Sequence, residues 1–190
     1  DQRKDFAKGL GIIEARAASL NRFLQAYRQL AQMPRPALAR VQLRPLLERI
    51  AALEVRLTVK VDPGPDATLM IDLDQFEQML INIVRNGADA ALQSDHVPAG
   101  AAPEVEIRWE ARDNAVLIEV MDNGPGLLNP ENAFVPFYTT KAGGSGIGLV
   151  LSRQIIEAHG GSIQLVNRGG ERGCAAQISI PLAESSQRAS

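Results

Sequence analysis

Between Phe6 and Ala31 the apolar positions recur at alternating steps of four and three: Phe6, Leu10, Ile13, Ala17, Leu20, Leu24, Tyr27 and Ala31. Such a heptad seam marks a long helix that keeps one narrow stripe apolar through several turns. A stripe that narrow cannot build a core alone, so it needs partner helices in a coiled coil or bundle. The alternative is a single amphipathic helix folded back on the rest of the chain, and the sustained register favours the bundle. Met33-Pro-Arg-Pro36 then ends the helix, because proline removes a donor and biases the preceding residue away from helix. The pattern predicts three parts: a helix over 1–34, a main domain over 35–183 and a polar tail over 184–190.

Beyond the prolines the period changes. A short helix is expected over 44–53, a half-buried strand over 55–61, a turn at Pro63-Gly-Pro65 and another strand over 68–71. The best-marked helix runs over 74–92, with Asp74 as N-cap and Glu77 three residues on in capping-box position. A loop of small and turn residues follows over 93–103. Strands are predicted over 104–109 and 115–121 around a turn at Asp113-Asn114. A helix over 148–158 ends at His159-Gly160-Gly161, where glycine takes the position past the cap, and strands over 162–166 and 175–182 flank Gly169-Gly170. Long helices interleaved with hairpins predict a two-layer α/β sandwich, a mixed sheet covered on one face by helices.

Composition narrows the chemistry. The chain has 190 residues, 45% of them hydrophobic, enough for one substantial core and a smaller appendage. A formal net charge of −2 with no basic block argues against nucleic acid or an anionic membrane as partner. Cys174 is the only cysteine, which excludes an internal disulfide and a cysteine-rich metal site and points to the cytoplasm. No apolar run approaches the roughly 20 residues that cross a bilayer. The first residues, Asp1-Gln-Arg-Lys-Asp5, open without methionine in a charged helical segment. A fragment of a longer protein is therefore expected, with any membrane anchor lying upstream.

Three groups of residues stand out chemically. Asn82 and Asn86 lie four positions apart on one face of the 74–92 helix, extended by Gln78 and Ala90, while Phe76, Leu80, Ile83 and Val84 supply its apolar surface. A buried amide needs partners; these two either meet solvent and loop backbone or serve a ligand, an amide oxygen being a good neutral donor to Mg²⁺. Asp122 stands at a strand end before Asn123-Gly124-Pro125-Gly126. Asn-Gly is a strong hairpin signal, but no returning alternating strand follows Pro125. A carboxylate beside two glycines is instead suited to accept from the exocyclic amine of adenine, and it would reject guanine, which presents an acceptor there. The third group is Phe134-Val-Pro-Phe-Tyr-Thr-Thr-Lys141-Ala-Gly-Gly144-Ser-Gly146-Ile-Gly148-Leu149. Its glycines uncover backbone amides just before a helix N-terminus, an arrangement for an anion. Its spacing fits neither the dinucleotide fingerprint nor the P-loop.

In that order these segments resemble the catalytic ATP-binding domain of sensor histidine kinases, in the superfamily shared with gyrase, mismatch-repair ATPases and the large heat-shock chaperone. Leu80-Ile-Asn82-Ile-Val-Arg-Asn86-Gly-Ala-Asp-Ala90 resembles the N box, Asp122 to Gly126 the G1 box, Phe134 to Lys141 the F box and Gly144 to Leu149 the G2 box. Ala39-Arg-Val-Gln-Leu43-Arg-Pro-Leu-Leu47 resembles the usual entry into the domain. The short lid with Thr139-Thr140-Lys141 is most similar to the nitrogen-regulation and dicarboxylate-sensing subgroup.

The resemblance implies ATP and Mg²⁺ as cofactors. Asp122 would bind the adenine amine, with Gly124 and Gly126 lining the base pocket, and Asn86 would be the metal ligand. Thr140, Lys141, Gly144, Ser145, Gly146, Ile147, Gly148 and Leu149 would form the phosphate-binding lid, with Lys141 as a point charge. Phe137 and Tyr138 would anchor that lid. Gly87 departs from the alanine usual in the family and is expected to be tolerated. Asn82 and Lys141 are the candidate catalytic residues. Asn82 stands where the hydrolysing relatives carry a glutamate base, and an amide takes up no proton at neutral pH. The reaction implied is transfer of the γ-phosphoryl to a histidine. The heptad helix resembles the second helix of the dimerisation hairpin, whose first helix carries the phosphoacceptor. Neither His96 nor His159 resembles that acceptor, so a chain that binds ATP without phosphorylating itself is expected. The implied partners are its own dimerisation domain, a homodimer partner and the receiver domain of a response regulator. Three competing readings are an ATPase of the gyrase or mismatch-repair type, an anti-sigma-like serine kinase and a scaffold without catalysis.

Overall fold

The computed structural model describes residues 33–93, 102–139, 141, 144–170 and 172–182, and the helical positions Gly11, Glu14, Ala17, Asn21, Leu24 and Arg28. Of the heptad positions only Ala17 and Leu24 fall among these; both are helical and exposed. The rest of that seam, Thr140, His96 and the tail over 184–190 lie outside the described residues.

The main domain runs β1 (Ala39–Gln42), α1 (Leu43–Leu53), β2 (Val59–Val61), β3 (Thr68–Ile71), α2 (Leu73–Ala91), β4 (Val105–Arg112), β5 (Ala115–Asp122), a 3-10 turn (Pro130–Phe134), α3 (Gly148–Ala158), β6 (Ser162–Asn167) and β7 (Cys174–Pro181). Strands β2-β4-β5-β7-β6 form the sheet in that order, with β2 parallel to β4 and the other pairs antiparallel. This is the mixed sheet expected. Alternation puts Val105, Ile107 and Trp109 of β4 and Val116, Ile118 and Val120 of β5 in the core. Ile107 lies opposite Val120, and Ile118 opposite Ile178, so each register pair buries apolar groups together. The helices close that face with Leu46, Leu47 and Ile50 of α1, Phe76, Met79, Leu80 and Ile83 of α2, and Ile155 and Ile156 of α3. Each such fully buried side chain contributes about 1.5–3 kcal/mol of transfer free energy.

Several local expectations change. Asp74 does not cap α2. The N-cap is Asp72, whose Oδ1 accepts from the Gln75 amide at 3.1 Å, while Glu77 pairs with Arg49 on α1. Asp72 and Gln75 repeat the spacing of Asp74 and Glu77, so the sequence offered two equivalent caps. Asp72 wins through tertiary bonds: its Oδ2 takes the Ala37 amide at 2.8 Å, and its own amide donates to His159 Nε2 at 2.9 Å. The Ala37 and Gln75 amides hold its carboxyl below the ordinary range.

The strand expected over 55–61 is only Val59–Val61, which pairs with Val105, Glu106 and Ile107 at the start of β4. Val55 is 88% exposed there. Strand β1, antiparallel to β3, and the 3-10 turn were not anticipated. The end of α3 follows expectation: the Gly160 and Gly161 amides donate to Glu157 and Ile156. His159 is the cap residue, buried, with Nδ1 on the Ile155 carbonyl at 2.7 Å, so both of its ring nitrogens are engaged.

Candidate functional site

Helix α2 is the spine of the site. It carries Asn82 and Asn86 on one side while Phe76, Leu80, Ile83 and Val84 are buried on the other. The two asparagines do not simply meet solvent. Asn82 Nδ2 donates to Oγ of the buried Ser152 on α3 at 2.9 Å, and its Oδ1 lies against Gly148, where any Cβ would collide with it. Asn86 Oδ1 accepts from Lys141 Nζ at 2.9 Å. Lys141 also pairs with Asp89 Oδ2 at 2.7 Å, so the lid lysine rests on α2.

Asp122 ends β5 and is 7% exposed. Its Oδ1 accepts from the Gly124 amide at 2.9 Å and the Cys174 amide at 3.4 Å, and none of the hydrogen bonds among the described residues ends on Oδ2. One oxygen is thus fixed by backbone amides. Burial pushes this carboxyl above the ordinary range, opposed in part by the two amides. Beside it, burial and the Asp122 charge push the Cys174 thiol up to about 12, so it offers no thiolate at neutral pH. The loop after Asp122 is no hairpin. Asn123 bonds Glu104 and Ala102, and Gly124 packs so closely on Ala90 that a Cβ would lie 2.7 Å from its carbonyl oxygen. Asn167, at the end of β6, clamps the Leu127 amide and carbonyl at 2.7 and 2.8 Å beside Gly126.

Gly87 faces Asp122 from α2. A Cβ there would sit 3.5 Å from Asp122 Cβ and from Val105 Cγ2, ordinary van der Waals contact. Alanine therefore fits, and Gly87→Ala is expected to raise stability by about 0.5–1 kcal/mol through helix propensity, read as a higher urea midpoint. A lower midpoint would show that the helix needs the closer approach.

The lid closes the other end. Phe137 adopts φ 66 and its amide donates to the Gly146 carbonyl at 2.9 Å, while Gly146, at φ +67, lies so close that a Cβ would meet the Phe137 carbonyl carbon at 2.5 Å. Only glycine suits that position. The Phe137 and Tyr138 side chains are 40% and 41% exposed, and Phe134 packs under the Arg153 guanidinium, 3.6 Å from its ring centre. Gly144 and Ser145 are exposed, Ile147 is buried at the N-cap of α3, and Gly148 and Leu149 form its first turn without a side-chain cap. The amides of that turn remain available to an anion. A cavity of about 180 Å³ opens there, lined by Gln78, Asn82, Ser145, Gly148, Leu151 and Ser152. A shallower groove of about 410 Å³ runs along α2 past Asp74, Glu77, Ile81 and Arg85 and shares Gln78 and Asn82 with it.

Three residues that position this site were not singled out from sequence. Asp89 had a signal, standing one turn after Asn86 inside the same motif. Ser152 and Asn167 had none, since their partners lie 70 and 40 residues away. Among the described residues no three His, Cys, Asp or Glu side chains converge as a metal cluster, and no helix is long and apolar enough to cross a membrane.

The chain is similar to known proteins in sequence and in fold. The sensor protein FixL of Bradyrhizobium diazoefficiens is 40% identical over 109 residues, 56% of this chain and 20% of its own. The sensor kinase CckA of Brucella abortus is 35% identical over 183 residues, 87% of this chain and 19% of its own. The chain thus spans about a fifth of the length of these curated relatives. The solved catalytic domain of the histidine kinase ThkA superposes with a TM-score of 0.63 at 29% identity, covering 76% of this chain and 95% of that one. Residues 71–184, from the end of β3 through β7 and including all four of the segments singled out above, match the family of histidine kinase-, DNA gyrase B- and HSP90-like ATPases, and the chain belongs to it, with sensor histidine kinases as its relatives.

Proposed function

We propose that this chain is the catalytic part of a two-component sensor histidine kinase, which transfers the γ-phosphoryl of ATP to a histidine on a dimerisation helix outside residues 35–183, for relay to a response-regulator aspartate. Asn82 carries this reading within the family. It stands where the hydrolysing relatives have a glutamate, at the cavity before α3, and its amide is bonded to Ser152. An amide cannot take a proton from water, whereas transfer to an imidazole needs chiefly alignment and charge neutralisation.

The roles follow from position. Asp122 takes the adenine amine on Oδ2, with Gly124 and Gly126 shaping the base end. Lys141 and the backbone from Gly144 to Leu149 take the phosphates, and Thr140 belongs to the same lid. The residues fit Mg²⁺: Asn86 Oδ1 is a neutral oxygen donor that already accepts from a cationic group, Lys141 Nζ. When bound, the metal would neutralise phosphate charge and Asn86 would hold it. His159 is no acceptor, because it is buried with both ring nitrogens engaged. The heptad pattern over 1–34 suits one helix of a dimerisation hairpin. The complete protein works as a dimer on the cytoplasmic side, with any membrane attachment upstream.

Calorimetric titration with a non-hydrolysable ATP analogue and Mg²⁺ tests the site, and labelled ATP with a separately supplied dimerisation hairpin tests the reaction. One-to-one binding and label on the hairpin histidine, with none on this chain, are expected. Steady phosphate release without an acceptor would favour a gyrase-type ATPase instead.

A further inference from the structure

Lys141 is not placed on α2 by one contact. Its Nζ donates to Asn86 Oδ1 at 2.9 Å and to Asp89 Oδ2 at 2.7 Å, so one cationic group sits where oxygens from successive turns of the helix converge. Asp89 has a second counter-ion, Arg56, whose Nη1 lies 2.6 Å from Oδ1, and Arg56 is itself held by Glu54 at 2.7 Å. Burial alone would raise the Asp89 carboxyl, but Lys141 and Arg56 hold it below the ordinary range. One Asp89 oxygen is thus committed to Arg56 and the other turned to Lys141. Arg56 alone balances the Asp89 charge only in part, because Glu54 shares it; the full set of four charges is neutral with Lys141 in place.

The donor set around the ammonium is one amide oxygen and one carboxylate oxygen, hard ligands of the kind Mg²⁺ takes while keeping waters and bridging phosphates. An ammonium and a divalent cation in contact with the same oxygens repel too strongly to share them. We propose that Asp89 is a second protein ligand of the divalent cation, directly or through a water, and that this cation and the Lys141 ammonium are alternative occupants of the position between Asn86 and Asp89. Arrival of the metal then frees Lys141 for the phosphates and turns the local charge from neutral to positive, which suits a polyphosphate. The inference rests on the ATP-binding reading above.

Mn²⁺, followed by electron paramagnetic resonance in the presence of a non-hydrolysable ATP analogue, reports the metal directly. Asp89→Asn is expected to weaken Mn²⁺ binding about tenfold, the loss usual when a ligand or its supporting shell is removed. Adenosine binding without metal and the thermal midpoint should stay close to wild type. Without nucleotide, where Lys141 has no phosphate to hold, Lys141→Met should move Mn²⁺ affinity in the opposite direction, because it deletes the competitor. Equal Mn²⁺ affinity in Asp89→Asn and wild type would overturn the proposal, as would an equal loss of adenosine binding, which marks a structural role. Weakened Mn²⁺ binding in both variants without nucleotide would overturn it too, since Asp89 would then act only through Lys141. If the wild type binds no analogue at all, the kinase reading falls and this inference with it; analogue binding with unchanged metal affinities defeats this inference alone.

Discussion

Asp122→Asn is expected to lower affinity for an ATP analogue about 10- to 150-fold while leaving the protein at least as stable at neutral pH. The loss is that of a charge-assisted hydrogen bond, about 1.5–3 kcal/mol. An asparagine that keeps its oxygen on the Gly124 and Cys174 amides turns an N–H₂ donor toward the adenine amine, leaving two donors face to face. Stability moves the other way because burial raises the folded carboxyl above its ordinary value. A carboxyl raised by folding contributes stability that is present below its unfolded pKa and lost as pH rises through the folded one, so at neutral pH the ionised Asp122 is a net cost. The neutral amide removes it. The same shift sets the pH dependence of binding. The ionised form accepts from adenine, so wild-type affinity should fall in mild acid, above the range where an exposed aspartate protonates, and Asp122→Asn should be flat across that window. Calorimetry with and without the substitution, paired with thermal unfolding, reads both effects. Wild-type affinity in the variant would remove Asp122 from the base site; a large loss of stability would make its role structural.

How much of this was legible in the sequence depends on whether a signal was local. Helix α3 was read to its ends because its apolar period, its leading glycines and its glycine-terminated end all lie within a short window. The four motifs were legible for the same reason. Strand β1 was missed because its four residues are mostly exposed and their alternation is too short to tell from loop; only pairing with β3 makes it a strand. The cap of α2 was placed two residues late because Asp72 and Asp74 are equivalent in sequence, and the choice falls to Ala37 and His159, which fold onto Asp72 from 35 and 87 residues away. The partners of Lys141 were hidden in the same way. Its charge was evident, but the carboxylate that receives it lies 52 residues upstream, on a helix read there for its asparagines.

Gly173→Ala should damage both the fold and the base site, which ties the β6–β7 turn to nucleotide binding. Gly173 has φ +114, a region closed to L side chains, and its missing Cβ would run into the carbonyl oxygen of Asp122 and lie 3.1 Å from Asn123 Cα. Backbone cannot swing aside as a long side chain would. Strain and overpacking together are expected to cost roughly 3–5 kcal/mol. The neighbouring glycines separate the two contributions. At Gly170, φ +80 in open space, alanine meets only the strain of the left-handed conformation, about 1–2 kcal/mol. At Gly169, with no positive φ and nothing within 4 Å, it should be nearly neutral. Urea midpoints should therefore fall in the order Gly169→Ala, Gly170→Ala, Gly173→Ala. Where Gly173→Ala still folds, it alone should also lose analogue affinity, because relief of the clash displaces the Asp122 backbone and the Cys174 amide that fixes Oδ1. Equal midpoints for the three would mean that β7 can move away from Asp122 at little cost, and the carboxylate would then owe its position to Gly124 alone.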